Sequence, residues 1–118
     1  MMKTAVILSA RKDKGTDIPY PLKPYCENIC LMDRIIEALT ALDYSNIYLV
    51  VGDKAELYHK YASERVHLVL NADYKFTSSM GSLAVAAPFI DDDFLLVEGD
   101  TFYEYKVLKA LTETANDN

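Results

Sequence analysis

Residues 94–100, FLLVEGD, set two carboxylates, Glu98 and Asp100, on either side of Gly99 at the end of an apolar run. A carboxylate at the end of a buried strand can hold a magnesium ion that bridges phosphate oxygens. Asp100 is the candidate ligand. Glu98, two residues away across a glycine, is expected to point elsewhere, and Gly99 is expected to let the backbone turn sharply beside the ion. Asp100 also suits the N-cap of a following helix. A second charged set is basic. Arg11, Lys12, Lys14 and Lys23 fall within residues 11–30, RKDKGTDIPYPLKPYCENIC, with three prolines and one glycine. Lysine and arginine neutralise phosphates. A basic, proline-stiffened segment facing an acidic strand end matches the needs of a magnesium–nucleoside triphosphate complex.

Other chemistries find little support. His59 and His67 stand on different elements, and no second histidine or cysteine pair completes a metal set. Cys26 and Cys30 have a C-x3-C spacing that matches neither a redox nor a zinc pattern, so two reduced thiols are expected. Ser9 lacks an evident histidine base. No G-x-S-x-G, H-E-x-x-H or Walker A motif occurs. Asp91, Asp92 and Asp93 read as a solvated turn before the last strand.

The totals narrow the class. A chain of 118 residues suits one domain, and 51% hydrophobic with 25% charged residues is a globular composition. The net charge of −6 disfavours a general nucleic-acid surface. The apolar runs are too short to span a bilayer, and no signal-like segment opens the chain. A cytoplasmic protein with neither a nucleic-acid nor a membrane partner is expected.

The elements that must position these groups follow from periodicity. TAVILSA (4–10), NIYLVVG (46–52), VHLVLN (66–71) and DFLLVEG (93–99) are short, proline-free and continuously apolar, as strands buried on both faces are. Leu31, Ile35, Ala38, Leu39 and Leu42 form one helical face. Residues 54–63 and 78–87 also read as helices, the latter closed by Pro88. A final helix over 105–115 is expected to turn Val107, Leu108 and Leu111 inward. The alternating order predicts a three-layer α/β/α sandwich with a mostly parallel sheet. The 20-residue connection 11–30 is long enough to be functional. It leaves the carboxyl edge of the sheet, where open α/β sheets bind ligands.

AVILSA, PLKPY, LMDRIIEALTALDYSNIYLVVGDKAEL and NADYKFTSSMGSLAVAAPFIDDDFLLVEGD together resemble the N-terminal, nucleotide-binding part of the sugar-nucleotidyltransferase-like enzymes. The nearest branch is that of the phosphocholine and 2-aminoethylphosphonate cytidylyltransferases. The resemblance covers most of residues 3–104. It implies a nucleotide-diphospho-sugar transferase-like fold, with Lys23 as the catalytic phosphate-binding lysine and Asp100 on Mg²⁺. It further implies Ser9, Ala10, Arg11, Lys12, Asn71, Ser79 and Ser82 on the nucleotide. The chain departs from the family's glycine-rich G-x-G-x-R loop, which here reads Arg11-Lys12-Asp13-Lys14-Gly15. Family members usually continue well beyond this length, so residues 1–118 are expected to form the N-terminal domain of a longer enzyme.

The expected activity is nucleotidyl transfer, most simply from CTP, to a small phosphate or phosphonate acceptor with release of pyrophosphate. The alternative is a truncated or degenerate nucleotide-binding domain without catalysis of its own. A phospho-acceptor receiver domain of similar size is disfavoured. Arg11-Lys12 stand where its acidic pair belongs, and Asn71 where its acceptor aspartate belongs. If the acceptor part lies outside these residues, apolar surface near 94–115 should be exposed, and a homo-oligomer could cover it.

Overall fold

The computed structural model describes residues 3–10, 18, 20–72, 79–90, 94–99 and 105–116. The chain runs β1 (Thr4–Ser9), β2 (Pro24–Cys26), β3 (Ile29–Cys30), α1 (Leu31–Ala41), β4 (Asn46–Val51), β5 (Val66–Leu70), α2 (Ser79–Ala86), β6 (Leu95–Glu98) and α3 (Tyr105–Asn116). Short 3-10 helices cover Tyr20–Leu22, Ala55–Tyr61 and Ala87–Phe89. The main sheet has the order β5-β4-β1-β6. Each of its pairings is parallel, in registers such as Ile7 with Leu49 and Leu8 with Glu98.

The period of two along β1 builds both outer layers. Ala5 and Ile7 enter one core with Met32, Ile35 and Leu39 of α1, Tyr58 and Leu108 of α3. Val6, Leu8 and Ala10 enter the other with Val50, Val69 and Ala86 of α2. A strand buried on both faces needs apolar residues at every position, which is why β1 and β4 read as continuous runs. The expected three-layer α/β/α architecture with a parallel sheet is the one observed. The helical face read from Leu31, Ile35, Leu39 and Leu42 is buried.

Four features depart from the sequence reading. Residues 54–63 form a 3-10 helix at Ala55–Tyr61, entered through Lys54 in the left-handed region (φ 52°). In the connection 11–30, residues 20–30 are ordered as a 3-10 turn and the antiparallel β2–β3 hairpin. The last strand is shortened to Leu95–Glu98, and residues 91–93 lie outside the described residues. In α3, Leu108 is 1% exposed but Val107 and Leu111 are 44% and 45% exposed. The buried partner one turn on is Thr112. Its hydroxyl donates to the Leu108 carbonyl (2.8 Å) and accepts from the Tyr44 hydroxyl (2.7 Å). A satisfied hydroxyl can lie in a core at little cost, and this one turns the 107/111 stripe outward.

The outer strands are less covered than the inner two. Leu70 on β5 and Leu96 on β6 are exposed, as are Phe94, Val107 and Leu111. On the Leu96 face, α2 lies over β1, β4 and β5.

The docking of α3 makes a measurable difference between neighbouring leucines. Leu108→Ala should destabilise the domain by about 2–5 kcal/mol, whereas Leu111→Ala should cost about 0.5 kcal/mol or less. Urea denaturation of the two variants checks this ordering.

Candidate functional site

In a sheet of order β5-β4-β1-β6, the chain moves from β1 to one side and returns to the other for β6. The carboxyl ends of β1 and β6 are therefore the point where the connections part, which is where open α/β sheets form a crevice. The helices that follow strands start at this edge. Their N-terminal amides and dipoles favour an anion there.

At this edge β1 ends in Ser9 and Ala10, both buried. The Gly99 amide donates to the Leu8 carbonyl (2.9 Å). A Cβ on residue 99 would lie 2.8 Å from Ser9 Oγ and 3.0 Å from the Leu8 carbonyl oxygen. Gly99 is therefore required by close approach, and its φ lies outside the left-handed region expected of a sharp glycine turn. The Ser9 hydroxyl is hydrogen-bonded to the Tyr58 hydroxyl at 2.9 Å, both groups being buried. That side chain serves the interior, so Ser9 offers the site its backbone.

Two of the expected nucleotide contacts do come together. Asn71, buried at the end of β5, donates from Nδ2 to Ser82 Oγ (3.0 Å). The Asn71 amide donates to the Val51 carbonyl (2.8 Å). This ties the end of β5 to both β4 and the first turn of α2. Ser79 is the first residue of α2. Lys23 is half-buried between the Tyr20–Leu22 turn and β2. Arg11, Lys12 and Asp100 lie outside the described residues.

Asp53 was missed. It follows Gly52 at the end of β4, is buried, and its amide donates to the Ala10 carbonyl (3.4 Å). Lys54 Nζ lies 3.9 Å from its carboxylate. The signal was present: β4 and β6 both run into Gly-Asp, at 52–53 and 99–100, and they flank β1 from either side. Tyr58 was missed too, because nothing in the sequence tells that its hydroxyl reaches Ser9. Among the described residues, no three His, Cys, Asp or Glu side chains converge to cage a metal ion. His67 stacks beside Tyr48 and meets Asn46 Oδ1 at 3.4 Å, while His59 is exposed.

The start of α1 carries a compact polar cluster. Asp33 Oδ2 accepts from the Cys30 amide (3.1 Å), and Asp33 Oδ1 accepts from the Tyr61 hydroxyl (2.6 Å). The Cys30 thiol, buried and free, lies 3.3 Å from that hydroxyl. Burial alone would raise the pKa of Asp33. The Tyr61 hydroxyl, the Cys30 amide and thiol and the Lys60 charge outweigh it and hold the carboxyl below 3.8. Burial, then the bond to Asp33, push the Tyr61 phenol well above 10.0.

Over 98 residues, 79% of this chain, the sequence is 32% identical to the CMP-5'-(3-aminopropyl)phosphonate synthase of Streptomyces rubellomurinus. The chain spans 15% of that protein's length. The fold matches the inositol-1-phosphate CTP transferase of T. maritima with a TM-score of 0.74 at 18% identity, covering 93% of this chain and 48% of that one. The chain shares the fold of that transferase. A second solved structure with this fold is Rv0371c of Mycobacterium tuberculosis, with a TM-score of 0.73 and 17% identity over 98% of this chain and 61% of that one. No family model matches the chain.

Two measurements follow. Gly99→Ala must displace backbone as well as the Ser9 side chain, and should cost about 1–3 kcal/mol in chemical denaturation. The Asp33–Tyr61 bond gives a pH signature with a definite sign. Asp33 has a lowered folded pKa, so its contribution is present above its unfolded value and lost as pH falls through the folded one. Tyr61 has a raised folded pKa, so its contribution is present below about 10 and lost as pH climbs beyond it. The stability gap between wild type and Asp33→Asn should therefore close in acid. The gap between wild type and Tyr61→Phe should close in alkali.

Proposed function

We propose that this domain binds a nucleoside triphosphate, CTP by preference, at the edge where β1 and β6 part. We further propose that it serves transfer of the cytidylyl group to a small phosphate or phosphonate acceptor. The observation that carries this reading is the switch point itself. It is closed at Gly99, where the ends of β6 and β1 meet, in a chain similar to a CMP-aminopropylphosphonate synthase.

In this reading Lys23, with Arg11 and Lys12, neutralises the phosphates. The backbone at Ser9 and Ala10 lies against them. Asn71, Ser79 and Ser82 hold the base or ribose from the other side of the crevice. Asp100, next to Gly99, would hold Mg²⁺, which supplies charge neutralisation at the phosphate oxygens when bound. Magnesium in such sites takes one or two carboxylates and completes its shell with phosphate and water. A single strand-end aspartate fits that donor set. An acceptor oxygen attacks the α-phosphorus and forms the new P–O bond, the bond to the β-phosphate breaks, and pyrophosphate leaves. The acceptor is already an anion, so no side-chain base is needed. Positioning and electrostatics carry the rate.

A second reading is supported by the first loop, where Arg11-Lys12-Asp13-Lys14-Gly15 replaces a glycine-rich phosphate cradle. In it the domain binds nucleotide but does not turn it over by itself. Pyrophosphate release from CTP with phosphocholine or 2-aminoethylphosphonate separates the two.

Binding is tested by calorimetry with CTP, ATP and CMP, with and without Mg²⁺. Asp100→Asn should lower Mg²⁺-dependent CTP affinity by about tenfold or more while folding survives. Lys23→Ala should weaken CTP by about tenfold and CMP much less, because the lost partner is a phosphate contact. Unchanged CTP affinity in Asp100→Asn at saturating Mg²⁺ would remove the metal assignment.

A further inference from the structure

The β2–β3 hairpin is too short to hold its own shape. Its ladder pairs Pro24 with Cys30 and Cys26 with Ile29, with a register shift between them. Its turn puts Glu27 at φ 53°. An isolated two-stranded ribbon is marginal in water even when longer than this. Yet the residue directly before β2 is Lys23, so the position of that ammonium depends on what anchors the hairpin.

Two anchors are visible. On the N-terminal side, Leu22 packs against the main core and its turn lies against α1. On the C-terminal side the anchor is polar. One oxygen of Asp33 takes the Cys30 amide of β3, and the other takes the Tyr61 hydroxyl from the 3-10 helix after β4. The Cys30 thiol touches the same hydroxyl. Cys30 is thus held at both its amide and its sulfur, and it is the residue opposite Pro24. The chain of contact runs from Tyr61 to Asp33, to Cys30, to Pro24, and so to Lys23.

We propose that Asp33 and Tyr61 are positioning residues for the phosphate end of the nucleotide: by clamping Cys30 they set the β2–β3 hairpin, and with it Lys23, at the edge of the sheet. This rests on the reading of Lys23 as a phosphate contact. Neither side chain has to touch the ligand. Without the clamp the hairpin samples other arrangements. Binding must then order it, and that cost falls on ligands that use Lys23. A ligand lacking the outer phosphates does not bear it. A clamp with only a structural role would weaken every ligand alike or none.

The test uses Tyr61→Phe, which removes only the hydroxyl, beside Lys23→Ala and the double variant. Amide hydrogen exchange of the unliganded protein comes first. In Tyr61→Phe the amides of residues 25–30 should exchange faster, while those of β1 and β4 keep their protection. Calorimetry should then show CTP weakened about fivefold and CMP unchanged. In the Lys23→Ala background the hydroxyl loss should have no further effect on CTP, because the residue it positions is gone. Asp33→Asn should follow Tyr61→Phe. Unaltered exchange in the hairpin, an equal loss for CTP and CMP, or an undiminished effect in the Lys23→Ala background would each overturn the proposal. If Lys23→Ala alone leaves CTP affinity unchanged, the phosphate role of Lys23 falls and this inference with it. If Lys23→Ala weakens CTP but Tyr61→Phe does not, only the positioning role falls.

Discussion

At the carboxyl edge of the sheet, the end of β6 packs directly against the end of β1. The Gly99 amide bonds to the Leu8 carbonyl, and the space a side chain would need is filled by Ser9 Oγ and that carbonyl oxygen. Because residue 99 has no Cβ, the two strand ends can touch. Ala10 and Gly99 then stand side by side at the carboxyl edge, and a larger residue at position 99 would push β6 outward. The Glu98-Gly99-Asp100 ending is thus a spacing device first, and the chemistry proposed for Asp100 depends on it.

Around this contact, tyrosine hydroxyls join elements that sequence distance keeps apart. Tyr58 reaches Ser9 at the end of β1, Tyr44 reaches Thr112 on α3, and Tyr61 reaches Asp33 on α1. Each ring fills apolar space while its hydroxyl satisfies a polar group that burial would otherwise penalise. The composition alone favours half-buried tyrosines with wet hydroxyls. Tyr48 and Tyr61 are half-buried, whereas Tyr44 and Tyr58 are fully inside and each of their hydroxyls is a cross-link.

In the parallel sheet, Ala10, Gly52, Asn71 and Gly99 mark four neighbouring strand ends. The β2–β3 hairpin is too short to be stable by itself and is held through Cys30 by Asp33 and Tyr61. The sheet explains how 17–18% identity to the structural neighbours is compatible with TM-scores of 0.73–0.74. It needs continuous apolar strands and room for the close approach at Gly99, terms that many sequences meet.

By itself the amino-acid sequence determined the four strands of the main sheet, their parallel pairing, the buried face of α1 and the sandwich class. These follow from local patterns: continuous apolar runs, the helical spacing of Leu31, Ile35 and Leu39, and crossovers of one hand. It also marked the proposed ligand edge, through the long basic connection and the strand-end aspartate. The tertiary structure alone decided the rest. Whether Leu111 or Thr112 faced the core turned on a partner, Tyr44, 68 residues away. The reason for Gly99 was a neighbour in space and not a turn. Residues 24–30 of the connection form a hairpin whose Cys30 meets Asp33 and Tyr61, partners that local pattern does not reveal. Side-chain periodicity reports which face of an element is apolar. It carries no information on which distant hydroxyl or carboxylate will meet it, because those pairings exist only once the sheet has brought the elements together.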